Sequence, residues 1–201
     1  PFQDNNITIT STGDSLAPFH QQMRRIERIL YIFAKCNSTV SYLQGMNEIA
    51  AVLYYAFSMS LAFFSNDCDE MESFVFTEFQ TLYGSTKLSE MYLLQDRSSI
   101  IQGRMNDFIQ LLEKHFPKGA KIIATHNIHP LCFCFKWLSL LFSQEYLIPQ
   151  LVLIWDALFA HFDSLLEYTT YIAVAQVKML EKRLDIEDYL TTMTALAKEN
   201  V

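Results

Sequence analysis

A glutamine and a glycine, Gln44 and Gly45, stand between two segments whose hydrophobic residues have helical spacing. Glycine adopts backbone angles that other residues avoid, and it lets another chain segment approach closely. Gln44 is therefore a long amide side chain at the start of a helix, beside backbone N–H groups that favour anions. An amide held in this way can orient a water molecule next to a phosphate group. The alternative is a glutamine that merely caps the helix, since polar residues are common at helix starts.

Familiar catalytic and nucleotide-binding motifs are missing from the sequence. Neither G-x-x-x-x-G-K-[ST] nor G-x-G-x-x-G occurs, so the chain has neither of these phosphate-binding loops. The motifs H-E-x-x-H and G-x-S-x-G are missing as well. We therefore predict that the chain has no nucleotide cofactor held by such a loop.

Two histidines and two cysteines, His126, His129, Cys132 and Cys134, lie close together and invite comparison with a zinc site. A structural zinc site usually has two close pairs of ligands separated by a loop. Cys132 and Cys134 are instead two residues apart on a predicted helix, so they point to different faces. We predict no metal site. All four cysteines of the chain are predicted to be buried, reduced thiols.

Composition and charge narrow the class of protein. The 201 residues are 51% hydrophobic, which is enough to bury the core of one domain or of two small ones. The net charge is −7 and no basic run occurs, so nucleic acid is not a predicted partner. The uncharged stretch 49–66 is bounded by Glu48 and Asp67 and lacks the positive flanks of a membrane span. We predict a buried core helix there and no transmembrane segment.

Hydrophobic residues recur at three-to-four spacing along most of the chain, which predicts an all-α fold of eight or nine helices. Residues 1–14 are polar and are predicted to be irregular, with Asp14 or Ser15 capping a first helix that ends at residues 37–38. Further helices are predicted over residues 45–57, 71–82, 88–116, 119–126, 131–142, 149–159, 165–183 and 186–198. The predicted core includes Phe33, Leu53, Phe79, Trp137 and Trp155.

Three blocks of the sequence resemble the TBC family of Rab GTPase-activating proteins. Residues 42–47, YLQGMN, resemble the family's Y-x-Q-G-M-N signature. Residues 135–145, FKWLSLLFSQE, resemble its helix with R-W and the following S-x-E, and residues 154–159, IWDALF, resemble its I-W-D-x-L-F segment. The resemblance covers about residues 22 to 183, and residues 25–47 look especially like the TBC1 domain family member 13 type.

The resemblance implies an irregular multi-helix TBC domain over residues 15–201, truncated on the N-terminal side and, we expect, on the C-terminal side. It implies a GTPase activator rather than an enzyme in its own right. The partner would be a Rab-type GTPase in its GTP form, and the process would be vesicle-mediated protein transport. GTP and Mg²⁺ would belong to that partner, so no cofactor is expected in the chain itself. A cytoplasmic location is expected, with peripheral membrane association through the partner.

The same resemblance assigns roles to the residues of the first block. Gln44 would be the glutamine finger that positions the attacking water in trans. The residues expected to contact the GTPase around it are Tyr42, Gly45, Met46 and Asn47. Within the loop, Tyr42 and Met46 would pack and Asn47 would help to fix the backbone. We expect Gln44 to be exposed in a groove and Tyr42 to be substantially buried, whereas Trp137, Trp155 and Asp156 are interpreted as fold residues.

Two departures from the family pattern keep other functions open. The family's arginine finger lies in an I-x-x-D-x-x-R motif before the glutamine, and no arginine of this chain has that context. The arginines tested against it are Arg24, Arg25, Arg28, Arg97, Arg104 and Arg183. Lys136 replaces the usual arginine before the tryptophan, which keeps the charge but loses the bidentate fork. The alternatives are a TBC-like scaffold that binds a GTPase without activating it and a helical adaptor unrelated to GTPases.

Overall fold

A computed structural model describes residues 19–38, 40, 42, 44–92 and 97–197. Within these ranges the chain forms nine α-helices joined by short 3₁₀ segments and turns, without a β-strand. The predicted all-α class is confirmed. The helices are α1 His20–Cys36, α2 Met46–Ser58, α3 Cys68–Ser85, α4 Arg97–His115, α5 Pro117–Thr125, α6 Cys134–Ser139, α7 Ile148–Phe159, α8 Leu165–Met179 and α9 Tyr189–Ala197. The predictions for residues 1–14 and for a cap at Asp14 or Ser15 lie outside the described residues.

The helices form two packed groups around one continuous core. Helices α1, α2 and α3 pack on one another, and α8 lies against α4, α6 and α7. The five predicted core residues, Phe33, Leu53, Phe79, Trp137 and Trp155, are all buried, so that prediction is confirmed.

An aromatic cluster and an ion-pair network join α1 to α3. The ring of Phe33 meets that of Phe79 edge to face at a centroid distance of 5.0 Å, and Tyr83 packs against both rings. Such pairs stabilise a fold beyond the area they bury. At the other end of the same helix pair, the carboxylate of Glu72 accepts hydrogen bonds from Arg25 and Arg28. These contacts fix α1 against α3 at both ends of the pair.

The uncharged stretch 49–66 does not form the single buried helix that was predicted. Helix α2 ends at Ser58, and a 3₁₀ segment, Leu61–Phe64, follows it. Ser58 Oγ donates to the Tyr55 carbonyl at 2.7 Å, a local bond that competes with continuation of the helix. Phe63 in the new segment is 82% exposed. None of the helices in the described part of the chain combines the length and apolarity that a membrane crossing needs.

Three other predicted helices are shorter than expected or divided. The segment 88–116 contains a 3₁₀ stretch, Lys87–Tyr92, and then α4, with residues 93–96 outside the described part. The segment 165–183 contains α8 followed by the 3₁₀ turn Glu181–Arg183. The predicted helix 131–142 is reduced to α6, because the chain before it is a 3₁₀ turn and the chain after it leaves the helical region. Hydrophobic spacing does not distinguish a 3₁₀ turn from an α-helix.

The cysteines do not behave as a uniform set. Cys134 is buried, Cys68 is half-buried, and Cys36 and Cys132 are exposed. The prediction of four buried thiols is therefore wrong for all but Cys134, because the other three lie at helix ends or in a turn rather than on an apolar face. Among the described residues, no group of three or more His, Cys, Asp or Glu side chains is placed to hold a metal ion.

Candidate functional site

Gln44 lies at the surface two residues before α2, so its predicted exposure is confirmed, whereas the groove expected around it stays a prediction. Its side chain makes no hydrogen bond with the described residues, so the amide is available to a partner. The next residue, Gly45, is the N-cap of α2 and has φ 105°, a left-handed value that favours glycine. A cavity of about 430 Å³ between α4 and α8 is lined by Arg104, Glu167 and their neighbours and does not include Gln44.

Asn47 closes the loop by hydrogen bonds to residues on both sides of Gln44. Its Oδ1 accepts from the Gly45 backbone N–H at 3.2 Å and from the Tyr42 hydroxyl at 3.4 Å. Its Nδ2 donates to Glu48 Oε1 at 3.2 Å. Met46 is fully buried and anchors the loop to the core. The prediction that Tyr42 is substantially buried is wrong, because Tyr42 is held only by its hydroxyl contact to Asn47 among the described residues and remains 40% exposed.

The floor of the loop is a side chain from a distant part of the sequence. A Cβ built on Gly45 would lie 2.6 Å from Leu140 Cδ2, far inside van der Waals contact. Leu140 is itself buried and forms the C-cap of α6, where its N–H donates to the Lys136 carbonyl at 2.9 Å. The first block of the sequence therefore rests directly on the second.

Residues 140–145 form a turn with unusual backbone angles, referred to below as the 140–145 turn. Leu141 has φ 49° and Phe142 has φ 62°, two consecutive left-handed residues that are not glycine. Each such conformation costs about 1–2 kcal/mol in a residue with a side chain. Strain of this kind persists only where the surroundings determine the backbone, and it is often found at functional sites.

Helix α7 supplies one of the bonds that hold this turn. Trp155 Nε1 donates to the Leu141 carbonyl at 2.8 Å, and the Trp155 ring is 4% exposed. The Phe142 N–H donates to the Trp137 carbonyl at 3.0 Å, and the two rings are stacked. Trp137 and Trp155 therefore bury their rings as predicted for fold residues. Asp156 is exposed and makes no side-chain hydrogen bond within the described ranges, so a fold role is not supported for it.

An ion pair spans the same turn. Lys136 Nζ lies 2.8 Å from Glu145 Oε1, and the Glu145 side chain is only 1% exposed. Neither carboxylate oxygen has a hydrogen bond of good geometry within the described residues, so the ammonium charge is the main stabilising partner. A buried carboxylate needs such a partner, since an unpaired charge in the interior costs several kcal/mol or more. The lysine that replaces the family's arginine thus retains a charge contact, made by a single nitrogen.

The arginines nearest to Gln44 in sequence are engaged elsewhere. Arg25 Nη1 donates to Glu72 Oε2 at 2.6 Å and to Asp69 Oδ1 at 2.7 Å. Burial acts to lower the pKa of Arg25, but the hydrogen bonds to Asp69 and Glu72 outweigh it, and the pKa is raised. Arg28 donates from Nε and Nη2 to the Glu72 carboxylate, both at 2.5 Å. This hydrogen bonding raises the pKa of Arg28. Both guanidiniums are therefore permanently charged partners of α3.

Sequence reasoning did not identify Leu140 or the 140–145 turn as part of the site. No glycine marks the left-handed residues Leu141 and Phe142, and the apolar run around them is typical of a helix. The available signal was that the three blocks of the sequence occur in the same order as in the family that they resemble. Their meeting point in space is visible only in the folded chain.

Comparison with known proteins places this architecture in a class. The solved Ypt/Rab-GAP domain of Gyp1p matches it with a TM-score of 0.77, over 90% of this chain and 60% of that one. The sequence identity is 20%, so this likeness shows a shared fold. The family model of the Rab-GTPase-TBC domain matches residues 3–184. The chain belongs to the Rab-GTPase-TBC domain family.

Curated relatives agree with this assignment. TBC1 domain family member 13 of Homo sapiens is 32% identical over 171 residues, which cover 85% of this chain and 42% of that protein. A TBC domain-containing protein of Schizosaccharomyces pombe is 34% identical over 78% of this chain and 25% of its own length. The GTPase-activating protein GYP7 of Candida glabrata is 25% identical over 82% of this chain and 20% of its own length. The chain thus spans less than half the length of these relatives. Family membership argues against a helical adaptor unrelated to TBC proteins.

Proposed function

We propose that this chain is the part of a Rab GTPase-activating protein that supplies the glutamine finger, Gln44, to a GTP-bound Rab-type GTPase. The observation that carries the proposal is the exposed, unpaired amide of Gln44 on a loop in which the Gly45 N–H and the Tyr42 hydroxyl both donate to Asn47. The supporting findings are the family match and the one curated relative whose name describes it as GTPase-activating. The process would be control of vesicle traffic, at membranes reached through the GTPase.

The chemistry required of Gln44 is positioning. GTP hydrolysis depends on orienting the attacking water and on neutralising charge at the phosphates. A side-chain amide can accept one hydrogen from water and donate a hydrogen to the γ-phosphate. The Gly45 N–H is fixed by Asn47, which limits the positions open to the adjoining Gln44 and so reduces the reorganisation needed during the reaction. The nucleotide and Mg²⁺ remain part of the GTPase.

The test is single-turnover GTP hydrolysis across a panel of Rab GTPases. It compares this chain, a version that includes any upstream sequence encoded in its gene, and Gln44→Ala in that version. We expect Gln44→Ala to remove most of the stimulation while binding of the GTPase changes little, since the interaction is made in the transition state. Gln150→Ala is the matched control, because Gln150 is an exposed glutamine in the first turn of α7. Equal rates for Gln44→Ala and the unchanged protein would reject the glutamine finger.

A second function, a scaffold that binds a GTPase without accelerating hydrolysis, is favoured by one observation. Arg25 and Arg28 are occupied by Glu72, and an arginine finger contributes about 10³–10⁵ in rate in small GTPases. Retained binding without stimulation by any Rab, in the version with upstream sequence, would support the scaffold. Full stimulation by this chain alone would instead mean that one of its own arginines acts.

A further inference from the structure

The Gln44 loop rests on a turn that lies far from it in the sequence, and a side chain of α7 binds the same turn. We infer that the 140–145 turn is the seat of this loop and that Trp155 and Lys136 are positioning residues that act on Gln44 through it. The placement of the loop is argued from contacts alone. Its consequence for hydrolysis rests on the proposed function of Gln44.

The first step is the contact between the loop and the turn. Gly45 lies against Leu140 so closely that even one additional methyl group would overlap with Leu140 Cδ2. The Gly45 backbone also has its N–H fixed by Asn47 Oδ1, so it has little freedom to move away from Leu140. A shift of Leu140 is therefore transmitted to Gly45 and to the adjoining Gln44, since close-packed interiors transmit strain.

The second step is that Leu140 depends on the strained residues after it. The chain reverses at Leu141 and Phe142 with two left-handed residues, which the sequence itself does not favour. The Ser143 N–H donates to the Leu140 carbonyl at 3.0 Å and the Glu145 N–H to the Phe142 carbonyl at 2.9 Å. Both bonds lie within the turn, so they fix its shape but not its position in the domain.

The third step is that two side chains tie the turn to the rest of the domain, in addition to the bond from Phe142 to Trp137. Trp155 reaches from α7 to the Leu141 carbonyl, and Lys136 reaches from α6 to the buried carboxylate of Glu145. A fully buried carboxylate restricts the turn to arrangements in which the lysine stays close. Lys136, Glu145 and Trp155 together therefore fix the turn on which the Gln44 loop rests.

If Trp155 only filled the core, Trp155→Phe would leave the Gln44 loop unchanged. If Trp155 is a positioning residue, the same substitution loosens the loop. Trp155→Phe keeps an aromatic ring and removes the Nε1–H that binds Leu141. Leu140→Val shortens the side chain that faces Gly45 and keeps the bonds of the turn. Phe79→Leu, in the aromatic cluster of α1 and α3, is the control for general destabilisation.

The first measurement is hydrogen–deuterium exchange of the Gly45 and Glu48 backbone amides, which are hydrogen-bonded within the loop, in the full-length protein. We expect exchange roughly five- to tenfold faster in Trp155→Phe and in Leu140→Val, as for the loss of one hydrogen bond. Phe79→Leu should leave these amides unchanged. Unchanged exchange at these amides in both Trp155→Phe and Leu140→Val would overturn the inference.

The second measurement is a double-mutant cycle on single-turnover hydrolysis with the Rab GTPase that responds best. Trp155→Phe should lower the maximal rate by tenfold to roughly a hundredfold, with a smaller effect on GTPase binding, since a misplacement of about 1 Å has that effect. In the Gln44→Ala background the same substitution should have no further effect. Equal losses in both backgrounds would overturn the positioning role. If Trp155→Phe speeds loop exchange but Gln44→Ala hydrolyses GTP as fast as the unchanged protein, the seat of the loop stands and the proposed function of Gln44 is rejected.

Discussion

Gly45 and Leu140 are in direct contact, with no room between them for a Cβ atom on the glycine. The left-handed φ of Gly45 is an independent reason why this position favours glycine. We therefore predict that Gly45→Ala lowers the free energy of unfolding by about 1–2 kcal/mol, from backbone strain alone. It should also lower stimulation of GTP hydrolysis by displacing Gln44. Urea denaturation and single-turnover hydrolysis measure the two effects separately.

Gly103→Ala is the matched control for this prediction. Gly103 lies inside α4, and a Cβ built on it meets no atom within 4 Å. The substitution should raise the free energy of unfolding by about 1 kcal/mol, because alanine is the better helix former. It should leave hydrolysis unchanged. If the Gly45→Ala variant were as stable as the unchanged protein, the loop would not rest on Leu140.

Some features of the fold and of the Gln44 site could be predicted from the sequence, and others could not. The position of Gln44–Gly45 at a helix start, the all-α class and the core residues Phe33 and Trp155 follow from hydrophobic spacing and turn chemistry. The contact with Leu140 does not follow, because it depends on how α2 and α6 pack. Hydrophobic spacing fails in the same way at Phe63, which lies in an apolar run but is exposed.

The Lys136–Glu145 pair predicts an asymmetric response to substitution. Lys136→Met should lower the free energy of unfolding by about 3 kcal/mol, because it leaves the Glu145 carboxylate buried without a charge partner. Glu145→Gln should cost less, since the Lys136 side chain is 27% exposed and reaches water. Lys136→Arg should be tolerated, because it keeps the charge and adds a second donor. Equilibrium urea denaturation compares the three variants.

The double variant Lys136→Met with Glu145→Leu tests the cause of this loss. Replacing both members of a buried ion pair by apolar residues is often nearly neutral, so most of the stability should return. A double variant as unstable as Lys136→Met alone would mean that lost packing, and not the unpaired carboxylate, is responsible.

The four cysteines should differ in reactivity according to their burial. Cys36 and Cys132 are exposed, whereas burial raises the pKa of the Cys134 thiol well above its ordinary value. The thiolate is the reactive form, so Cys134 should react with a disulfide reagent only after unfolding. Cys68 is half-buried and should react at an intermediate rate. Mass spectrometry of alkylated peptides assigns each site, and fast labelling of native Cys134 would contradict its burial.

The same thiol gives stability a pH dependence of known sign. The unfolded thiol ionises at about pH 8.5, and the folded one ionises only at higher pH because burial raises its pKa. The folded state therefore keeps a proton that the unfolded state releases, and stability falls as pH rises above about 8.5. Cys134→Ala should remove this contribution, which urea denaturation at a series of pH values would detect.

The last prediction concerns the arginines of α1. Arg25 and Arg28 both bind Glu72, whose side chain is 10% exposed, whereas Arg24 is exposed and has no hydrogen bond or ion pair within the described ranges. We predict that Arg25→Ala and Arg28→Ala lower the free energy of unfolding by about 1–3 kcal/mol, as expected for hydrogen bonds between charged groups. The exposed Arg28 side chain should give the smaller loss, and the loss should shrink in high salt. Arg24→Ala should leave stability unchanged. None of the three should alter the hydrolysis rate per folded molecule. If one of them abolished stimulation with no change in the denaturation midpoint, that arginine would be acting on the nucleotide, and the arginine finger would lie within α1.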